Sequence, residues 1–320
     1  MDDFWKKPNK PILALAPMAG ITDSAFRELC RRHGAHVAYS EMASADALYY
    51  NPKKTMELLR FKESERPYVV QLFGRRPECF KKAAVVITKE LRPDAIDINF
   101  GCPAKKVFGH GSGCALMPQK ELAREIISAV CENTDLPVSI KIRAGIKETD
   151  AVDFIESTKD LPYSAVMVHA RTYEGGFSGP LDFDIISKIK GIIPGKIVLA
   201  NGGINTPQDG VDILRNHPDI DGLGIARGAW GRPYIFDEIS EYLKTGKQPE
   251  EYGLERIKEI MIEHAELIWE DKKELGMFEI RKHLAWYIKG FPGAAKIREK
   301  LVLVNSVQDV KEILAGISPE

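Results

Sequence analysis

Cys102 stands between Gly101 and Pro103, directly after the strand-like run Ala95-Ile96-Asp97-Ile98-Asn99. A thiol in such a turn is held on a loop at a strand's carboxyl end, outside a packed core, and loops on a rigid scaffold are where chemistry is usually placed. Other short apolar runs also carry hydrogen-bonding or charged groups at or near their ends. These are Pro17-Met18-Ala19-Gly20, Ser40-Glu41-Met42, Gln71, Asn99, Lys141 with Arg143, His169 with Arg171, Asn201 and Arg227. Lys141 can stabilise a developing anion, more strongly in a dry site than in water. Gln71 and Asn201 can donate and accept. Gly202, Gly203 and Gly228 would let backbone N–H groups approach a phosphate that Arg227 clamps.

The apolar runs that would position these groups fall at 12–17, 37–42, 68–73, 95–99, 138–143, 165–170, 197–201 and 222–226. Each is short and mostly apolar, as strands buried on both faces of a parallel sheet are. Amphipathic helical patterns lie between them. Asp23 to His33 puts Phe26, Leu29 and Cys30 on one face, with Thr22 or Asp23 as cap, and Lys120 to Cys131 repeats Leu122, Ile126, Ile127 and Val130. Eight such alternations in about 240 residues predict an α/β fold, a (β/α)8 TIM barrel with its functional face at the strands' carboxyl ends. An open doubly wound sheet is the competing architecture. Beyond about residue 250 the strand signal stops. Helical stripes at 254–269, 278–289, 294–301 and 307–314 predict a small carboxyl-terminal helical domain after the linker Lys244-Thr245-Gly246-Lys247-Gln248-Pro249. The expected division is 1–246 and 247–320.

The bulk numbers narrow the classes. Net charge is −1, so no global positive field recruits nucleic acid and any such contact must be a local patch. Five cysteines without a C-x-x-C pair argue against a disulfide framework and a cysteine-rich zinc site, and fit a reducing cytoplasm. No apolar run approaches the roughly 20 residues of a membrane span, and the first residues lack the apolar core of a signal peptide. No membrane partner and no metal are expected.

The polar strand ends suit flavin mononucleotide. Its flat ring has polar atoms along one edge, and its reduced form carries negative charge that Lys141 would stabilise. The phosphate would fall at the loops after strands seven and eight, where such barrels frequently bind one. Motifs APMAGITD at 16–23, SEM at 40–42, QLFG at 71–74, INFGCPAKKV at 98–107, KIRAG at 141–145, VHART at 168–172, ANGGI at 200–204 and ARGAWGRPYIF at 226–236 are matched in order and spacing. On these the chain resembles the tRNA-dihydrouridine synthases, over roughly residues 11–300. The resemblance implies FMN contacts from Pro17, Met18, Ala19, Gln71, Lys141, His169, Asn201, Gly202, Gly203, Ala226 and Arg227, with Cys102 as the catalytic acid. It implies hydride addition to C6 of a flipped-out uridine and proton delivery to C5, with NADPH or NADH reducing the FMN in a separate half-reaction. Gly109-His110-Gly111-Ser112-Gly113 has the wrong spacing for a Rossmann fingerprint, so a transient visit of the nicotinamide is expected. Asn99 and Arg171 are expected near substrate, although Arg171 suits the flavin phosphate as well. Lys105 and Lys106 sit on a glycine-bearing loop, 101–116, expected to close over the uridine.

The resemblance also implies that the helical domain helps to hold tRNA. Residues 250–280 carry ten acids against four bases, and residues 281–300 carry six bases against one acid. Arg281, Lys282 and Arg298 are expected on a phosphate-contacting ridge, beside Trp286 and Tyr287. Cys30, Cys79, Cys131 and Cys114 read as packing residues. A monomer is expected. Two rival functions share parts of this pattern: an FMN barrel acting on free pyrimidines, which would not need the basic helical segment, and a non-catalytic RNA-binding barrel, which would carry no flavin.

Overall fold

A computed structural model describes residues 4–8, 10–291 and 293–317. Eight parallel strands close on themselves. Strand one, Ile12–Leu15, pairs with strand two, Val37–Tyr39, which pairs with strand three, Tyr68–Phe73. Strands four (Ala95–Asn99), five (Val138–Ile146), six (Ala165–Thr172) and seven (Ile197–Asn201) follow in order. Strand eight, Gly222–Ile225, closes the ring with Ile12 opposite Gly222. This is the barrel, not the open sheet. Val, Ile, Leu and Ala dominate because both strand faces are covered, by helices outside and by the barrel's own filling inside.

The bottom of that filling is apolar. Phe4 and Trp5 rise from the amino-terminal turn and pack against Ile12, Val37, Tyr39, Val69, Ala165, Met167 and Leu199, with Trp5 fully buried. Only glycine fits at position 224, where a Cβ would lie 2.5 Å from the Met167 sulfur. Among the described residues no helix is long and apolar enough to cross a membrane.

Helix Ser24–Arg32 starts where the sequence indicates: the Asp23 carboxylate accepts the Phe26 N–H at 3.0 Å. Beneath it lies a fully buried ion pair. Arg27 Nε donates to Glu65 at 2.6 Å, and the same guanidinium donates to the carbonyls of Thr22 (2.6 Å) and Arg60 (2.8 Å). Glu65 also accepts from the Ser24 hydroxyl.

After helix Ile235–Thr245 come the carboxyl-terminal helices. The run Leu254–Tyr287 is broken at Lys273, whose backbone is non-helical (φ 51, ψ −131), and Ala294–Leu301 and Val307–Ala315 follow. Their core, built on Ile257, Met261, Ile268, Met277 and Leu284, extends onto Ala25 and Leu29 of the first barrel helix and onto Tyr234. Arg32 pairs with Glu263 at 2.6 Å, and Lys272 lies 3.5 Å from Asp23.

Candidate active site

Because side chains alternate along a strand, every second residue faces the barrel interior. Above the apolar filling the interior turns polar. Register sets Gln71 beside Asp97, Asp97 beside Ser139, Asn99 beside Lys141, and His169 beside Asn201. Asp97 is fully buried and accepts at both oxygens, from Ser139 Oγ at 2.6 Å and Gln71 Nε2 at 2.7 Å. The Gln71 carbonyl accepts from Asn99 Nδ2 at 2.8 Å, and Asn99 Oδ1 accepts the backbone N–H groups of Gly101 (3.0 Å) and Cys102 (2.9 Å). A buried carboxylate on strand four is thereby connected, bond by bond, to the loop that holds the thiol. Burial pushes the Asp97 carboxyl up to about 6.

The loop is itself tied down. Arg143 Nε donates to Gly101 O at 3.0 Å, and its Nη1 donates to both Thr172 O (2.8 Å) and Gly176 O (3.0 Å). Phe108 stacks on Tyr173 with ring centroids 4.5 Å apart. Lys105–Gly109 forms a short helix and Gly113–Leu116 a 3-10 turn. Gly113 (φ +61) lies against the cysteine: a Cβ there would come 2.9 Å from Cys102 O and 3.1 Å from Cys102 Cβ. Glycine at 113 thus serves close approach rather than mobility.

These residues line a cavity of about 860 Å³ at the carboxyl ends of the strands. Pro17, Met18, Ala19, Gln71, Lys141, His169, Asn201, Gly202, Gly203, Ala226 and Arg227 all reach it, as do Cys102, Asn99 and Lys105. Lys106 is exposed on the short helix beyond Lys105, and Arg171 lies just behind the wall, its Nε on Gly179 O at 2.7 Å. The rest lie on the helical region. Arg281 is used internally, donating to Val304 O (2.9 and 3.0 Å) and Asn305 (2.8 Å). Lys282 donates to the Gly20 carbonyl at the cavity rim, and Arg298 is half-buried on Ala294–Leu301.

Electrostatics follows from enclosure. Lys141 donates to Asn201 Oδ1 at 3.1 Å, and burial, with Arg143 nearby, lowers it to about 8. Asn201 Nδ2 in turn donates to Gly224 O at 2.6 Å. His169 is pushed down to about 2 by burial and then by Lys141, Arg143 and Arg171, so its ring is neutral. Its Nδ1 accepts the Arg171 N–H at 3.2 Å, which leaves Nε2 as the donor, against Gly202. Burial raises the half-buried Cys102 thiol, so it stays protonated at neutral pH. The buried Nη1 of Arg171 has no partner among the described residues, and burial, then the charge of Arg227, depresses Arg171.

The sequence does not reveal the rim. Trp230 donates to the Met18 sulfur at 3.1 Å and stacks flat on Trp286, centroids 4.4 Å apart at 8°. Glu41 accepts the Gly20 N–H while Lys282 holds the Gly20 carbonyl. Tyr287 is buried 3.0 Å from His264 Nδ1. Trp286 and Tyr287 thus face inward, one against the barrel and one into the core. Phe177, 57% exposed, carries Arg227 and Arg143 over its ring at 5.0 and 5.6 Å. No local signal marks these contacts, which join residues far apart in the chain. Among the described residues no cluster of three or more His, Cys, Asp or Glu is placed to hold a metal ion.

A closed β/α barrel whose mouth gathers a thiol, a depressed lysine and a neutral histidine is an enzyme barrel. The same barrel is found in the solved structure titled "Crystal structure of TcOYE with pHBA", at a TM-score of 0.54 and 10% identity, over 77% of this chain and 92% of that one. Residues 14–318 match the family model described as Dihydrouridine synthase (Dus). The chain is 37% identical over 313 residues to tRNA-dihydrouridine synthase B of Pseudomonas aeruginosa, covering 97% of this chain and 92% of that protein. It is 34% identical to the Probable tRNA-dihydrouridine synthase 1 of Synechocystis sp., over 93% and 84% of the two chains. The chain belongs to the dihydrouridine synthase family.

Proposed function

We propose that this enzyme reduces the C5=C6 bond of uridines in tRNA, with FMN as prosthetic group and NADPH or NADH as the source of electrons. The supporting observation is one cavity shared by the protonated thiol of Cys102 and the enclosed ammonium of Lys141. The donor set fits FMN. Gln71, Lys141 and the Nε2–H of His169 can hydrogen-bond a ring edge and its side chain, and Pro17, Met18, Ala19 and Ala226 supply close walls. Gly202, Gly203 and Arg227 suit a phosphate. Reduced FMN, when bound, would supply the hydride.

The chain's own residues do the remaining work. Lys141 favours negative charge in a site that excludes water. Asn99 fixes the Cys102 backbone and offers its amide toward a pyrimidine. Cys102 holds the proton delivered to C5 of uracil, across the base from the hydride. Lys105, with Lys106 beyond it, meets the phosphates of the entering strand, and the uridine must leave its stack to arrive. In this reading 1–246 is the catalytic barrel, and 247–320 helps to hold tRNA through Arg298, while Arg281 and Lys282, bonded to Val304 and Gly20, brace the helix at the cavity rim. The protein works as a monomer in the cytoplasm.

The test is direct. Purified protein should be yellow, with the absorbance of oxidised flavin, and tRNA from cells lacking it should lose dihydrouridine at defined positions by mass spectrometry. Cys102→Ala should retain flavin and lose activity. A colourless protein, or full activity without the thiol, refutes the proposal.

A further inference from the structure

The loops after strands two, three and four build a second surface beside the mouth. Helices Ala45–Tyr50 and Pro52–Leu58 follow strand two, Pro77–Val86 follows strand three and Lys105–Gly109 follows strand four. They are contiguous. Arg76 Nε donates to Asp46 at 2.8 Å and its Nη1 to the Tyr50 hydroxyl at 3.0 Å, while Lys82 donates to Tyr49 O at 3.0 Å. Arg75 lies over the cysteine-bearing loop, where a Cβ on Gly111 would come 3.0 Å from its Cδ.

Lys53, Lys54, Arg75, Lys81, Lys105 and Lys106 are exposed here, and none has a carboxylate within ion-pair distance among the described residues. In a chain of net charge −1 that is a local concentration of unneutralised cations. Tyr50 is 68% exposed, with the Arg76 guanidinium 5.3 Å over its ring. Beside it runs a shallow cleft formed by Asp46, Ala47, Tyr50, Asn51, Lys54 and Thr55. An open aromatic face, backed by a cation and flanked by spaced lysines, is what a strand with one unstacked base requires. An acidic protein would answer the charge but has no need of the ring.

The helical region occupies the neighbouring sector, over strands eight and one, through Trp230 and Gly20. A strand passing Lys105 into the cavity lies beside the surface after strands two to four, on the side the helical region leaves open. We propose that this surface binds the RNA strand flanking the target uridine, with Tyr50 stacking one of its bases. The proposal rests on the tRNA reading above.

Full-length Tyr50→Ala, Lys53→Glu/Lys54→Glu and, as a control on the outer helix Asp184–Ile192, Lys188→Glu would be compared for tRNA binding by fluorescence anisotropy across salt concentrations. Tyr50→Ala should weaken Kd about tenfold. The double charge reversal should do at least as much and flatten the plot of log Kd against log salt by about 1.5, two phosphate contacts' worth. Lys188→Glu should stay within twofold, and flavin content should be unchanged in all. Wild-type Kd and salt slope in the patch variants overturn the proposal and leave the surface to an acidic protein. Lost dihydrouridine formation at unchanged Kd overturns it as well. If the wild-type enzyme forms no dihydrouridine in tRNA, the functional reading itself fails; if it does and the patch variants bind normally, only this inference fails.

Discussion

Asn99→Asp tests the direction of the buried amide chain. An aspartate at 99 can still accept from Gly101 and Cys102 but has no N–H for Gln71. Gln71 then lies between two carboxylates that only accept, and its own carbonyl must face one of them. An unmade buried hydrogen bond costs about 1–3 kcal/mol. The alternative is a proton shared by the pair, and Asp97 already titrates near 6 in its buried setting. A carboxyl whose folded pKa exceeds its unfolded value favours the folded state when protonated. The variant should therefore match wild type most closely near pH 4 and fall behind as pH rises through 6, at up to about 1.4 kcal/mol per pH unit for one proton. The double variant Asp97→Asn/Asn99→Asp reverses the polarity and satisfies every link. The new amide at position 97 donates to the Gln71 carbonyl, Gln71 donates to the new carboxylate at position 99, and that carboxylate accepts the two loop N–H groups. Asp97→Asn alone should cost little, because the Ser139 hydroxyl can accept instead of donate. Urea unfolding of the four proteins at pH 5 and pH 8 should give a favourable coupling of about 1–3 kcal/mol at the higher pH. Equal losses in the single and double variants at pH 8, or a loss in Asn99→Asp that ignores pH, would refute the reasoning.

Gly113→Ala should push Cys102 out of place, retaining flavin while lowering dihydrouridine formation by up to about 100-fold in a single-turnover assay; normal turnover would show that the thiol tolerates the shift. Burial lowers Lys141 to about 8, so flavin-free protein should gain stability as pH rises from 8 toward 10.5. An anionic ligand restores the lysine's charge, and FMN binding at pH 9 should take up a proton, measured by calorimetry in buffers of different ionisation enthalpy and lost in Lys141→Met. Glu65→Ala leaves Arg27 buried without its counter-charge and should cost about 3–5 kcal/mol in urea unfolding; a loss under about 1 kcal/mol would mean that water reaches the guanidinium.

The eight strands are legible because residues covered on both faces have to be apolar, and that pattern needs no tertiary knowledge. Their ends are less so. Strand two stops at Tyr39, and Ala43–Ser44 pairs with strand three instead. Strand five runs on to Ile146 because Thr149–Asp150 folds back on it. The cavity-lining residues were readable because alternation turns a fixed parity inward, as with Gln71, Asn99, Lys141, His169 and Asn201. The carboxyl-terminal segment was harder. A run of bases says that charge is present, not which carbonyl will claim it, and Arg281 and Lys282 are claimed by Val304 and Gly20. Nor does a helical stripe report that Trp286 stacks on a residue fifty-six positions earlier, Trp230.

Phe4 and Trp5 cork the base of the barrel, so among the described residues the chamber has a single doorway. On the function proposed above, a dinucleotide and an RNA would share that doorway and take turns. Each visit must finish before the next begins, so initial-rate plots should run parallel, and an excess of either visitor should slow the other.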